Sequence, residues 1–428
     1  MNQHTGCDCE QEPANTGNIS RRSLLKRAAA VGAGVGLASE GLATRLAFAE
    51  GSYNGDVVVV LSLRGGIDGL NAIVPTSEPR YHAERPNIGI PESRLLQLDS
   101  TFGMHPALEP LHKYWNNGTF GVIHAVGMES PTRSHFAAMG EMERAAPGTA
   151  LRTGWLDRTL GLRTASGAYR GVMVGANRPP ASFSGGTPEL SMFSVDSFTL
   201  AQVDNARERT KWRSALMGMN DGAPPLLAAP AKLAVQAVNT AADLQRDGYR
   251  PRQGSAPYPK TEVGNAMRDV ARLIKADVGL QIACVDFGEW DMHAGMGTVG
   301  SGWLRSHLSQ LAKTLDAFAS DLGSAMGRVT VITLSEFGRR LKENGSGGTD
   351  HGHGQAVLML GAGVRGGQVH GQWPGLAEAD LVDGDLAGTT DYRNVLAELL
   401  EKRCGAGSIS TIFPGITSDR VGAFKPRG

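Results

Sequence analysis

Short apolar runs rich in β-branched residues, alternating with longer helix-patterned stretches, constrain the fold of this chain more than any other feature. Asp56–Leu63 (DVVVVLSL) is apolar at both alternate sets of positions, so it reads as a strand buried on both faces. Similar runs stand at Phe120–Val126, Gly171–Val174, Leu280–Phe287, Arg328–Leu334 and Ala356–Leu360. Between them the pattern predicts helices over Pro106–Trp115, His135–Ala145, Ala231–Arg246, Val263–Lys275, Leu304–Met326 and Tyr392–Lys402. This order predicts an α/β fold with a mostly parallel central sheet and helices on both faces. Segments 177–187 and 247–260 are rich in Pro, Gly and Ser and bracket a mainly helical region. That region reads as an insertion around 177–260 in a single domain spanning 50–428. Glycine, 57 of 428 residues, is nearly double the usual ~7% and suits a fold with many tight turns and backbone-lined sites.

The first residues are of another kind. Ser20-Arg21-Arg22-Ser23-Leu24-Leu25-Lys26 precedes a short apolar stretch, Ala28–Leu37, and Ala47-Phe48-Ala49 supplies a small-x-small cleavage site before Glu50. The stretch is far shorter than the ~20 apolar residues of a membrane-spanning helix. It is similar to a twin-arginine (Tat) signal, so residues 1–49 are expected to be removed. The implied partner is the Tat translocase, with no stable membrane anchor, and the expected location is periplasmic or secreted. Lys+Arg and Asp+Glu are both 42, which leaves no global positive field to gather nucleic acid. Cys7 and Cys9 fall in the removed segment, and Cys284 and Cys404 read as buried free thiols.

In open α/β sheets ligands bind beyond the carboxyl ends of strands, and the acids and histidines of this chain collect there. The first strand runs into Arg64-Gly65-Gly66-Ile67-Asp68-Gly69-Leu70-Asn71. The strand ending at Phe287 leads to Glu289-Trp290-Asp291-Met292-His293, and the next to Ser335-Glu336-Phe337-Gly338-Arg339-Arg340. A glycine-rich loop then presents Asp350-His351-Gly352-His353. Carboxylates and neutral imidazoles without thiolates are the ligand set of a Zn, Mn, Fe or Mg site. Taken singly, Asp68 reads more often as a turn or helix cap than as a ligand, while Asp291 and His293 read equally as a surface turn, and Glu336 equally as a partner of Arg339 or Arg340. Ser134 opens a helix, where backbone N–H groups favour an anion, and it reads equally as a nucleophile or as an N-cap. Arg133 and His135 beside it could hold substrate oxygens or shuttle a proton.

Over most of the length after residue 49 the chain resembles a large bacterial family of Tat-exported proteins whose activity is not established. The resemblance rests on Gly65–Asn71, Arg133–Phe136, Trp290–His293, Ser335–Arg339, Asp350–Gly352 and Thr389-Thr390-Asp391-Tyr392-Arg393. More distantly, the order of motifs is similar to that of the alkaline phosphatase superfamily, which includes sulfatases and cofactor-independent phosphoglycerate mutases. This implies an alkaline-phosphatase-like hydrolase or phosphotransferase core with one or two divalent ions (Zn, Mn, Fe, Mg or Ca). Asp68 then matches the superfamily's first acid, and Asp291 and His293 its Asp/His pair. Glu336 falls where an Asp-His dipeptide belongs, with Phe337 in place of the His. Asp350, His351 and His353 cover the final ligand. A formylglycine sulfatase needs Cys or Ser two residues before Pro131, where Glu129 stands instead.

The expected function is an exported metal-dependent hydrolase of phosphate or related esters, acting on a small-molecule or polymer substrate. The metal ligands are Asp68, Asp291, His293, Glu336, Asp350, His351 and His353. Ser134 or a bound water is the nucleophile, with Arg133 and His135 assisting. The alternative is a non-catalytic exported protein that binds metal or glycan on the same scaffold.

Overall fold

A computed structural model describes residues 53–163, 167–199, 205–219, 221–222, 224–417 and 419–428. The export segment expected over 1–49 lies outside them. Nine strands form the main sheet: β1 (Val57–Leu63), β2 (Phe120–Gly127), β3 (Gly171–Val174), β4 (Leu190–Met192), β5 (Ile282–Phe287), β6 (Val329–Leu334), β7 (Gln355–Gly361), β8 (Val369–His370) and β9 (Thr390–Asp391). Their order is β8-β2-β7-β6-β1-β5-β3-β4, and β9 also pairs with β2. Only β7 runs antiparallel to its neighbours, β2 and β6; the other pairings of this sheet are parallel. The amino end of β7 therefore lies at the same edge as the carboxyl ends of β1, β2, β5 and β6, as the pairing of Gln355 with Val126 shows.

The α-helices among the described residues are α1 (Gly69–Ala72), α2 (Pro79–Glu84), α3 (Glu109–Asn116), α4 (His135–Arg144), α5 (Trp155–Gly161), α6 (Ala206–Met219), α7 (Pro225–Asp247), α8 (Glu262–Lys275), α9 (Trp303–Leu322), α10 (Tyr392–Cys404) and α11 (Ile409–Ile412). All seven residues of β1 are buried, because the sheet is covered on both sides. Val57, Val59, Leu61 and Leu63 pack into one core with Leu111 of α3, Val270 of α8 and Leu308 of α9. Val58 and Val60 face the other, with Met142 of α4, Leu156 of α5 and Leu396 of α10. Each such side chain contributes about 1.5–3 kcal/mol through burial, so a one-residue slip of β1 would exchange the occupants of both cores. The mostly parallel α/β architecture read from the sequence is the one found.

Helices α6 and α7 are tied to this body as well as to each other. Leu233 and Ala237 of α7 join the first core. Trp212 of α6 and Val238 of α7 form a small cluster of their own. Cys284 is buried, Cys404 half-buried, and both are free thiols. Among the described residues no helix is long and apolar enough to cross a membrane.

Candidate metal centre

Four loops leave the sheet at the shared edge and converge. The loop after β1 turns at Gly65 and Gly66, whose φ angles of 119° and 87° belong to the region that glycine tolerates. A Cβ at Gly65 would lie 2.5 Å from the Asp291 nitrogen, and one at Gly66 2.8 Å from the Phe337 ring, so this turn presses directly on the loops after β5 and β6. The N–H groups of Gly65 and Gly66 donate to Glu336 Oε1 and Oε2 at 2.7 and 3.2 Å, and Ile67 N–H donates to Ser335 Oγ at 3.0 Å. Glu336 is thereby fixed, buried, behind the site.

Four side chains then gather. His135, Asp291 and His351 bring one donor atom each to within 4.8 Å of one another. His135 Nε2 is 3.4 Å from Asp291 Oδ2, while His293 Nε2 and His351 Nε2 are 3.0 and 3.1 Å from Asp291 Oδ1. The Nε2 atoms of His293 and His351 are themselves 3.0 Å apart. On the far side of each ring, Nδ1 meets an oxygen. For His135 it is Glu336 Oε1 at 3.1 Å, for His293 Asp350 Oδ1 at 2.8 Å, and for His351 the Arg133 carbonyl at 2.7 Å. Phe337 packs against His135 and His351, with ring centroids 5.0 and 4.6 Å away.

Arg339 holds the carboxylate in place. Its Nη2 donates to Asp291 Oδ1 at 2.6 Å, and the same guanidinium donates to the carbonyls of Gly65, Gly66, Trp290 and Thr349. Burial would raise the pKa of Asp291, but the Arg339 guanidinium that donates to it outweighs burial and holds the group below the usual carboxylate range. Asp350 is likewise lowered, chiefly by its hydrogen bond with His293.

The structure therefore redistributes the roles expected from the sequence. Asp291, His293 and His351 lie together. His135, expected beside the nucleophile as an acid or base, instead joins them, because the first turn of α4 points its ring at Asp291. Glu336 and Asp350 do not face the centre; each accepts from the back of an imidazole. Asp68 is elsewhere. Its carboxylate, 2% exposed, accepts two hydrogen bonds from Arg85 Nη1 at 2.8 and 2.9 Å and caps α1 through Asn71 N–H. Arg85 is itself buried and carried no pattern in the sequence that would mark it as this partner. His353 also points away: its Nε2 lies 3.4 Å from the Met128 carbonyl, and its ring packs on Gly127 and Gly388. Ser134 is the N-cap of α4, with Oγ accepting from Ala137 N–H at 3.5 Å, and it is exposed one residue before His135. Arg133 pairs with Asp385, a residue the sequence did not single out. A pocket of about 530 Å³, lined by Met128, Glu129 and residues of the Thr389–Arg393 motif but by none of the four gathered side chains, holds Arg393 bound to Asp391 and Glu129.

Compared with known proteins, the chain matches no curated protein in sequence. Among solved structures it is similar to the alkaline phosphatase from the Antarctic bacterium TAB5. That likeness is 11% identity over 74% of this chain and 94% of the other, with a TM-score of 0.28. It is also similar to the phosphonate monoester hydrolase of Agrobacterium radiobacter, at 9% identity over 85% of this chain and 78% of the other, TM-score 0.32. Likeness of that degree carries no chemistry across. The family model described as "Protein of unknown function (DUF1501)" matches residues 56–395, which takes in every side chain of the centre. The chain belongs to the DUF1501 family, whose function is unknown.

Proposed function

We propose that the protein is an exported, metal-dependent hydrolase of phosphate or related esters, built around a divalent cation held by His135, Asp291, His293 and His351. One observation carries this reading. Three imidazoles each give their Nδ1 proton to an oxygen that can only accept, and so turn three Nε2 lone pairs toward one carboxylate. Neither the lone pairs nor an ionised carboxylate has a proton to share, so the arrangement repels itself until a cation stands between them. Backing of each ring by an oxygen is also how metal-bound histidines are oriented. The donor atoms of His135, Asp291 and His351 lie within 4.8 Å of one another, and His293 Nε2 lies 3.0 Å from Asp291 Oδ1. A modest adjustment of the loops brings them to the roughly 3.4 Å that separates ligands about 2.0–2.1 Å from a tetrahedral zinc. Nitrogen-rich donors favour Zn, Mn or Fe over the oxygen-seeking Mg and Ca.

A cation there would polarise an ester oxygen and lower the pKa of an attacking hydroxyl. The chain itself supplies the rest. Ser134 offers an exposed hydroxyl one residue from His135, at a helix N-terminus that stabilises developing negative charge. Arg339 keeps Asp291 ionised and fixed. The twin-arginine pattern supports a site of action outside the cytoplasm.

Residues 50–428, purified and analysed for metal, are expected to carry Zn, Mn or Fe, and Asp291→Ala and His351→Ala to lose it. A panel of phosphomonoester, phosphodiester and sulfate ester substrates should then show turnover that Ser134→Ala removes while metal is kept. A folded protein that takes up no metal would sink the reading; one that holds metal but turns over nothing would leave a binding protein.

A further inference from the structure

We infer that Arg133 and Arg340 form the anion-receiving arm of this site, a pair of guanidiniums positioned by Asp385 to hold the tetrahedral oxyanion of an ester. The inference deepens the metal-centre reading and rests on it for the place where the ester group sits. Asp385 lies in a small hairpin, Leu381–Val382 paired with Asp385–Leu386, and its side chain is 1% exposed. Its Oδ2 accepts from Arg133 Nη2 and its Oδ1 from Arg340 Nε, the latter at 3.0 Å. Among the described residues Asp385 is the one carboxylate in ion-pair contact with either guanidinium, and Asp350 is a further acid whose charge acts on Arg340. Both arginines remain open to solvent, with side chains 46% and 38% exposed, whereas the carboxylate that gathers them is not.

Each arginine is also anchored to the centre through its backbone. The Arg133 carbonyl accepts from His351 Nδ1 at 2.7 Å. The Arg340 N–H donates to the Asp350 carbonyl at 3.0 Å, and the Asp350 side chain holds His293. Arg339, the neighbour of Arg340, grips Asp291. The backbones of both arginines are thus tied to the loops that carry the imidazole cluster. They keep donors in reserve: beyond Asp385, Arg340 Nη2 donates to the Asp383 carbonyl at 2.9 Å. Its Nη1, and Nε and Nη1 of Arg133, have no hydrogen-bond partner among the described residues. A planar, positively charged fork of N–H donors matches the oxygens of phosphate, phosphonate or sulfate. Pinning the hairpin would need only one of the two arginines.

The test titrates the metal-loaded protein (residues 50–428) with inorganic phosphate and, separately, sulfate, by calorimetry. Arg340→Gln is expected to raise the phosphate Kd at least tenfold with metal content and melting temperature kept, and Arg340→Lys to recover part of the loss. Asp385→Asn is the sharper variant. It adds net positive charge, so a mere charge effect would tighten phosphate binding, whereas loss of positioning weakens it. The weaker of the two anions in the wild-type protein marks the ester class that the site disfavours. Phosphate affinity within twofold of wild type in both Arg340→Gln and Asp385→Asn would overturn the inference. So would a metal-loaded wild type that binds neither anion, which leaves the metal centre standing. Arg340-dependent phosphate binding by protein that takes up no metal would keep the arginine pair and remove the metal centre.

Discussion

At the scale of single residues, what an acid does here is set by what reaches its far side. Glu336 and Asp68 both follow a strand, both are buried, and both are anchored by backbone N–H groups. Glu336 has a free lone pair turned to His135 Nδ1, whereas Asp68 has both oxygens bound to Arg85. The two should therefore fail in opposite ways. Glu336→Gln keeps an acceptor for the Gly65 N–H but gives His135 a weaker one, so metal affinity is expected to fall ~10–100-fold with the fold intact. Asp68→Asn leaves Arg85 charged and buried without its partner, which costs about 3–5 kcal/mol of stability. Its metal affinity should match wild type under conditions where it is folded. Chelator competition and urea unfolding on both variants separate the two; a drop in metal affinity for Asp68→Asn would put that residue back at the centre.

At the scale of elements, legibility in the sequence followed burial. The strands β1, β5 and β6 stand out because apolar and β-branched residues fill both faces with few polar interruptions (Ser62, Asp286, Thr330 and Thr333), and their ends differ from the sequence reading by two residues at most. The short pieces β4, β8 and β9 hold two or three residues each and were not foreseen, nor was α5, since too few positions repeat to reveal a period. The convergence of loops was legible because it depends on strand ends alone. The division into residues that face the centre and residues that stand behind it was not, since it depends on side-chain direction. The same holds where the 247–260 segment meets the body. Asp321, near the end of α9 and fully buried, accepts from Tyr249 OH at 2.6 Å, Tyr258 OH at 2.9 Å and Arg252 N–H at 2.7 Å, and pairs with Lys275 of α8. Nothing in the sequence marks this acid as the latch of that segment. Burial would raise its pKa, but the hydrogen bond from Lys275, with those from Tyr249, Arg252 and Tyr258, brings it below the usual value. A depressed carboxylate stabilises the fold above its unfolded pKa of ~3.9 and ceases to as pH falls through its folded value. Asp321→Asn should thus cost about 2–4 kcal/mol at pH 7, by the scale of a hydrogen-bonded buried charge. The gap to wild type in urea unfolding should narrow below pH 4; a gap that does not change with pH would mean packing, not charge, secures the segment.

At the scale of the whole molecule, the one antiparallel strand of the main sheet is what makes a four-loop centre available, because β7 delivers its preceding loop, Asp350–Gly354, to the edge where parallel strands deliver theirs. The body that holds these loops has its own response to acid, independent of the centre. His124 lies within β2, donating from Nε2 to the Ile73 carbonyl at 3.1 Å and stacked on Phe102, while His105 accepts from Ala107 N–H at 3.0 Å through Nδ1. Both are 1% exposed, and burial lowers the pKa of each to about 4. For a histidine whose folded pKa is depressed, the unfolded chain binds the proton first. The contribution to stability is complete above pH ~6.5 and is lost as pH falls toward 4, by up to about 3 kcal/mol for each residue at one pKa unit per ~1.4 kcal/mol. This window lies above that of Asp321, so acid unfolding should begin with the histidines. His105→Asn isolates one of them, since asparagine caps the same N–H but does not titrate. In buffer containing EDTA, which takes metal release out of the measurement, the variant should lose stability more slowly than wild type between pH 6.5 and 4 and run parallel to it above pH 7. Parallel curves throughout that range would show that His105 is protonated in the folded protein at no cost, and that the acid response belongs to other groups.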